Sequence, residues 1–310
     1  MHKALLLYNP LAGRRRGPRV SEVESARAVL RAGGVEAASI ATAGPSDAAE
    51  QVKQAIAEGC DTVFACGGDG TVHDVVQGLV GSDAALGVIP LGTANSLANN
   101  LGLSLSPMGA AQAALTAKPR RIAVGRVVYQ DFQGGQAARY FTVTAGVGVD
   151  AHLFYKLNPL VKRHLGMAAY YAKATRLWLT HKMEKFVIEM QGEPSQVAEV
   201  SQLLAVRIRH FGGVLRELAP GASLDRDDLR LVLFRTRSRA AYLSYVLRGF
   251  LGAKWQVPGI ELVHASRVNC RQLAPGSSRI FVEADGELLG TVPAEISVLR
   301  DALTILVPVV

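Results

Sequence analysis

Gly67-Gly68-Asp69-Gly70-Thr71 has the composition of a turn that holds an anion. It closes a strand-like run, Asp61-Thr62-Val63-Phe64-Ala65-Cys66, and opens a run in which Val72, Val75, Val76 and Leu79 recur at helical spacing. Glycine lets backbone N–H groups approach an anion without Cβ obstruction, and a helix N-terminus adds partial positive charge. Phosphate is the natural occupant. No lysine follows in Walker position, so this is not a Gly-Lys-Ser/Thr loop. Asp69 would repel phosphate directly. It is expected to order the loop, accept N–H bonds or meet the Mg²⁺ of a nucleotide.

Two further turns resemble the first in position. Pro90-Leu91-Gly92-Thr93-Ala94-Asn95 again follows a strand and opens a helix, which suggests two donors converging on one ligand. Asn9-Pro10-Leu11-Ala12-Gly13-Arg14-Arg15-Arg16-Gly17 follows the first strand and carries three consecutive arginines, whose forks match phosphate oxygens. A solvated basic loop would look the same. A fourth segment, Glu283-Ala284-Asp285-Gly286-Glu287, ends a strand near the C-terminus. In an extended strand its three carboxylates would share one side and repel, so that one is partly protonated or all hold a metal. An Asp-Gly hairpin turn is the competing reading.

The elements that must carry these turns alternate. Strands are expected at 3–8, 35–42, 61–66 and 85–90, and helices at 19–32, 46–58, 71–80, 95–101 and 108–117. In the second helix Ala48, Val52, Ala55 and Ile56 form one face, with Ser46 or Asp47 as cap. Such alternation implies a parallel sheet covered by helices, with ligands at the carboxyl ends of its strands. After Pro119 the texture changes. Runs at 121–129, 139–149, 184–191, 200–211, 229–236, 260–272 and 279–284 are rich in Val, Ile, Phe and Leu. Several alternate with polar residues, as in Val206-Arg207-Ile208-Arg209, which suggests an antiparallel β domain. Helical insertions are expected at 151–181 and 239–252, and Leu303 to Val310 is a short strand of unassigned partner.

A chain of 310 residues fits two domains, here 1–120, with 300–310 returning to it, and 121–299. Hydrophobic content of 49% with 19% charged residues excludes a disordered chain. The net charge of +8 suits an anionic partner but does not choose one. Cys60, Cys66 and Cys270 are odd in number and lack metal-ligand spacing, so a reducing compartment is expected. No run has the length of a signal peptide or a membrane span.

Taken together, several motifs resemble the bacterial diacylglycerol kinase-like lipid kinases, relatives of sphingosine and ceramide kinases. They are Asn9-Pro10-x-Ala12-Gly13, Gly67 to Thr71, Pro90-x-Gly92-Thr93-x-Asn95, Phe211-Gly212-Gly213 with Ala219-Pro220-x-Ala222, and Asp285-Gly286-Glu287. Their order and spacing span almost the whole chain. The resemblance implies an α/β plus β architecture: a Rossmann-like three-layer domain of NAD kinase/phosphofructokinase type, then a mainly antiparallel β-sandwich with helical insertions. It implies an ATP site between the domains, touched by Asn9, Pro10, Leu11, Ala12, Gly13, Thr42, Cys66, Gly67, Gly68, Asp69, Gly70, Thr71, Thr93 and Asn95. Asp285 or Glu287 would take the proton from a lipid hydroxyl, with ATP and Mg²⁺ as cofactors. A cytoplasmic enzyme bound peripherally to anionic lipid at the inner face of the membrane follows, and a homodimer is admitted.

Two departures stand out. The family usually places Asp after the Asn95 position, where this chain has Ser96. It also carries Asp-Gly after Pro-x-Ala, part of a structural Mg²⁺ site, where this chain reads Leu224-Asp225-Arg226-Asp227-Asp228-Leu229. Either Asp225, Asp227 or Asp228 substitutes there, or Arg226 replaces the cation by a salt bridge. The insertion from Ala151 to Lys182 mixes Tyr170, Tyr171, Leu177 and Trp178 with Lys162, Arg163, Lys173 and Arg176, as a helix at a lipid interface or one packed on the β domain would. The helix at 239–252 poses the same choice, with core packing expected. A kinase of a soluble acceptor and a catalytically silent lipid or nucleotide sensor remain as alternatives. A nucleic-acid binder would explain the charge but none of the turns.

Overall fold

The computed structural model describes residues 1–10, 18–42, 44–149, 151, 182–191, 196–211, 217–274 and 278–309. The chain divides into two compact units. One comprises Met1–Val124, Ile208–Arg216 and Leu299–Val310, the other Gly125–Arg207 and Glu217–Val298.

In the first unit strands and helices alternate: β1 (Lys3–Tyr8), α1 (Pro18–Ala32), β2 (Glu36–Ala41), α2 (Pro45–Ala57), β3 (Thr62–Gly67), α3 (Asp69–Leu79), β4 (Ala85–Pro90), α4 (Ser96–Asn100) and α5 (Pro107–Thr116). The sheet order is β2-β1-β3-β4, all parallel. β3 and β4 are buried along their whole length, which accounts for their continuous apolar runs rather than alternation. Strand order changes direction between β1 and β3, so their carboxyl ends flank the switch point at which open α/β sheets bind ligands. The register brings those ends level, Tyr8 standing opposite Cys66 and Cys66 opposite Ile89. Val23, Ala26 and Leu30 of α1 share a core with Ala110, Ala111 and Ala114 of α5 and with Leu6, Phe64 and Ile89 of the sheet.

Two local features differ from those expected of the sequence. Helix α2 begins at Pro45 with Gly44 as its N-cap and no side-chain cap bond, so neither Ser46 nor Asp47 caps it. Proline at the first helical position has φ already set, and the N–H it lacks is one that would have no intrahelical acceptor. The apolar C-terminus is not a separate short strand but the end of a long one, Glu287–Val307. Its Thr304 and Ile305 pair in parallel with Ala85 and Leu86 of β4.

The second unit is antiparallel. Its strands are β5 (Lys118–Gln130, whose earlier part belongs to the first unit), β6 (Gln136–Phe141), β7 (Thr144–Gly148), β8 (Phe186–Met190), β9 (Gln196–Val200), β10 (Gln202–Val206), β11 (Leu229–Phe234), β12 (Ile260–Ala265), β13 (Arg267–Gln272), β14 (Phe281–Ala284) and β15 (Glu287–Val307, whose later part belongs to the first unit). One layer runs β12-β11-β10-β7-β14, and the other links β9-β8-β13-β15 with β5 and β6. Val147, Leu203, Leu231 and Val282 of the first layer meet Phe186, Ile188, Val268 and Ile296 of the second in one core, a β-sandwich. Helix α6 (Arg239–Leu251) packs on this unit. The run expected at 139–149 is two strands, broken at Thr142–Val143. The run at 260–272 divides likewise, into β12 and β13, while the run at 200–211 begins at the last residue of β9 and is a strand only over β10. The alternation read at Val206-Arg207-Ile208-Arg209 is not that of a half-exposed strand. β10 ends at Val206, and Arg207 is fully buried.

Candidate functional site

The turns after β3 and β4 touch backbone to backbone. A Cβ on Gly92 would lie 2.4 Å from the Cα of Gly68, and one on Gly68 would lie 3.1 Å from the Cα of Gly92. Only glycines allow this approach. The N–H of Leu91 donates to Gly67 O at 2.9 Å, carrying the β3–β4 ladder into the turns. A Cβ on Gly67 would collide with the buried Thr71 hydroxyl at 2.1 Å. The first N–H groups of α3 have no intrahelical acceptor, so they form a donor set at its N-terminus.

Side chains fix the pair of turns. Asn95, left-handed at φ 47°, accepts from Gly92 N at 2.9 Å and donates to Gly92 O at 3.1 Å. Asp69 Oδ1 accepts from Ser96 N at 2.7 Å, tying the α3 turn to the α4 turn. Among the three roles considered for Asp69, this is the loop-ordering, N–H-accepting one. Gly92→Ala is expected to force the turns apart and lower stability by about 1–3 kcal/mol. Thermal unfolding reads this; an unchanged melting temperature would mean that the turns part without cost.

The other residues of this set lie on the same strand ends. Thr42 is buried beyond β2, and its N–H donates to Tyr8 O at 2.8 Å. Asn9 and Pro10 follow β1 and are half-buried, while Thr93 is exposed. Cys66 is buried at the end of β3, and burial pushes its thiol far up, so it stays protonated and packs. Leu11, Ala12, Gly13 and the Arg14–Arg16 run lie outside the described residues, as do residues 152–181 of the insertion.

Ser96 has a task that an aspartate could not perform. Its Oγ donates to Phe211 O at 2.7 Å. One turn on, Asn100 Oδ1 accepts from Arg209 N and His210 N, both at 3.0 Å, and its Nδ2 donates to Ser96 O. Helix α4 thus grips residues 209–211 with two side chains at i and i+4. Ser96→Asp, which restores the residue usual in the family the sequence resembles, would replace a donor by a carboxylate facing the Phe211 carbonyl oxygen. We expect it to cost about 1–3 kcal/mol of stability in urea unfolding. A gain in stability would contradict this geometry.

The acidic segment is a hairpin, not one face of an extended strand. Asp285 and Gly286 both have positive φ, 48° and 86°, between β14 and β15. Its three carboxylates therefore separate. Glu283 is buried and accepts from Gly286 N at 2.9 Å, closing the turn. Glu287 is exposed. The Asp285 carboxylate accepts backbone N–H groups of Thr142 (Oδ2, 3.0 Å), Val143 (Oδ1, 2.9 Å) and Thr144 (Oδ1, 3.0 Å). This capture explains the break between β6 and β7. Beside it the hydroxyls of Thr142 and Thr144 are buried and make no hydrogen bond with the described residues.

The loop before β11 shows how its acidic residues are used. Both carboxylate oxygens of Asp228 bond the Arg226 guanidinium, at 2.7 and 2.5 Å, and its Oδ1 also meets His264 at 3.2 Å. The Arg226 bond holds the Asp228 carboxyl below its usual range. Asp225 Oδ2 lies 3.2 Å from the Ser223 hydroxyl, and Asp227 is exposed. A second cation, which the sequence reading missed, reaches the loop from the end of β10. Arg207 donates to the carbonyls of Arg226 (2.7 Å), Asp228 (2.5 Å) and Leu224 (3.4 Å). Burial lowers this guanidinium to about 10, against the pull of Asp228, Asp227 and Asp225, and it stays charged at neutral pH. Carbonyl oxygens that would ligate a cation are thus taken by arginine N–H groups. Among the described residues no His, Cys, Asp and Glu side chains gather into a metal set.

Comparison with known proteins follows the two units closely. The diacylglycerol kinase catalytic domain matches residues 3–127, and the YegS C-terminal NAD kinase beta sandwich-like domain matches residues 143–307. A diacylglycerol kinase of Mycobacterium tuberculosis is 31% identical over 307 residues, covering 99% of this chain and 95% of that one. One from Bacillus subtilis is 29% identical over 300 residues, covering 95% and 93%. A crystal structure of a Bacillus anthracis diacylglycerol kinase shares the fold with a TM-score of 0.71 at 19% identity, covering 99% of this chain and 97% of that one. Yeast NADH kinase complexed with NADH gives 0.53 at 10% identity, covering 100% and 84%.

Proposed function

This chain belongs to the diacylglycerol kinase family, and from that premise we propose that it transfers the γ-phosphoryl group of ATP to the hydroxyl of a lipid. The lipid is a diacylglycerol, a sphingoid base or a related alcohol. The observation that carries the nucleotide half is the contact of Gly68 with Gly92, which sets two glycine-rich turns side by side at the ends of β3 and β4. ATP phosphates would take the N–H groups at the start of α3 and the Gly92–Thr93 turn, with Asn9, Thr42 and Asn95 shaping the edge.

The lipid oxygen attacks Pγ. A new O–Pγ bond forms, the bond from Pγ to the ADP oxygen breaks, and the hydroxyl proton goes to a carboxylate. Asp285 and Glu287 are the carboxylates we assign to that task. Magnesium would arrive on the nucleotide and neutralise its β- and γ-phosphates. Among the described residues no helix is long and apolar enough to cross a membrane. We place the protein peripherally on the cytoplasmic face of the membrane.

The test is transfer from γ-labelled ATP with Mg²⁺ to a panel of lipids in mixed micelles, with NAD run beside them. A labelled lipid is the expected product, and the panel names its class. Labelled NAD instead would move the acceptor to the soluble branch. ATP binding without transfer to any acceptor would favour a sensor.

A further inference from the structure

Helix α6 is built the reverse of an ordinary surface helix. Its polar groups face inward. Tyr242 and Tyr245 are buried against Phe234, with ring centroids 4.4 and 5.3 Å away. The Tyr242 hydroxyl meets Ser201 Oγ at 2.7 Å, and the Tyr245 hydroxyl donates to Leu218 O at 2.5 Å. Arg248 is buried too, its guanidinium 4.3 Å above the Tyr245 ring. Burial pushes the Tyr245 phenol up to about 12, so this anchor stays neutral.

The outward face carries Leu243, Val246, Leu247, Phe250 and Leu251, spaced i, i+3, i+4, i+7 and i+8 and each 40–60% exposed. Water should cover a polar stripe at those positions. A contiguous apolar one marks an interaction surface. Core packing, expected for this helix from its sequence, holds for the inner face only.

Charge identifies the occupant. No Asp or Glu occurs between Leu229 and Ile260. Exposed Arg237 precedes the helix, and exposed Lys254 and Trp255 follow it, bracketing the stripe with cations and an indole. Trp255 donates its Nε1–H to Ser244 Oγ at 3.3 Å, which holds the ring beside the helix. Apolar side chains flanked by cations and an indole suit the boundary between headgroups and acyl chains of an anionic bilayer.

We propose that the outer face of α6 docks this protein on anionic membrane, the helix axis lying in the plane of the interface. The inference rests on the lipid-kinase reading for what the docking serves, while its chemistry stands on α6 alone. The test is co-sedimentation, without ATP, with phosphatidylglycerol vesicles and with phosphatidylcholine vesicles. The full chain is compared with the variant Leu243→Gln/Leu247→Gln/Phe250→Gln. The expected result is preference for the anionic vesicles and a loss of roughly tenfold or more in the variant. Its melting temperature and its turnover on detergent-dispersed lipid should be kept.

Equal binding by the variant would overturn the proposal, as would equal affinity for neutral vesicles. So would a wild-type dimer that the variant converts to monomer, since the face would then join two copies. Vesicle binding lost with the stripe, together with no phosphorylated lipid, would refute the kinase reading and leave the docking surface standing.

Discussion

Asp285→Asn is expected to lower turnover at least about 100-fold and stability by about 2–4 kcal/mol. The double effect follows from the hairpin. Asp285 is the shared acceptor for three backbone N–H groups, two on Oδ1 and one on Oδ2. Asparagine offers one oxygen and one NH₂. In one flip the amide N–H faces Val143 and Thr144, and in the other it faces Thr142. Either way a buried donor meets a donor, at the point where β6 gives way to β7.

Glu287→Gln separates chemistry from scaffold. Glu287 is exposed, so the amide changes little but charge. Initial rates and urea midpoints, taken together, assign the roles. Loss of turnover with unchanged stability in Glu287→Gln makes Glu287 the base and Asp285 the positioning residue. Retained turnover in Glu287→Gln leaves the proton to Asp285. Full activity and full stability in Asp285→Asn would remove Asp285 from both.

Arg207→Met is expected to destabilise the protein by about 2–4 kcal/mol, because several carbonyl oxygens lose a charged hydrogen-bond donor at once. Methionine matches much of the volume but supplies no donor. The carbonyls of Leu224, Arg226 and Asp228 would lose their common N–H source inside the protein. Lysine keeps the charge but not the fork, so Arg207→Lys should recover only part of the loss. Urea unfolding of the three proteins measures this.

Arg207→Ala would leave a carbonyl-lined gap where the sequence resemblance implied a structural Mg²⁺. Restoration of its stability by added Mg²⁺ would show that the guanidinium stands in for a cation. A cost under about 1 kcal/mol for Arg207→Met would show instead that the loop holds without it.

How much of this was legible in the sequence depends on the range of the interactions. The α/β alternation of the first unit could be read because β1, β3 and β4 are short and continuously apolar, while α1 to α3 carry their apolar residues at helical period. Both patterns are local. The glycine-rich turns were legible for the same reason, since a strand, a turn and a helix start lie within ten residues of one another. That Gly68 touches Gly92 was not, because it needs β3 beside β4 in a register that hydropathy does not encode.

The second unit shows the limit more sharply. A period-2 pattern made Arg207 an outward residue, and the sequence left Glu283, Asp285 and Glu287 between one strand face and an Asp-Gly hairpin, of which the fold has the hairpin. The fold buries Arg207, because carbonyls from residues 224–228 come back to it, and turns the chain at Asp285, because N–H groups from 142–144 reach its carboxylate. Ser96 read as a missing aspartate until Phe211 supplied the acceptor for its hydroxyl. The amino-acid sequence by itself determined the alternating strands and helices of the first unit and where glycine relieved the backbone, since those depend on neighbours a few residues apart. Only the tertiary structure decided which polar atoms meet, because each of those partners comes from a segment distant in the chain, and hydrogen bonds act over 3 Å wherever the fold brings them together.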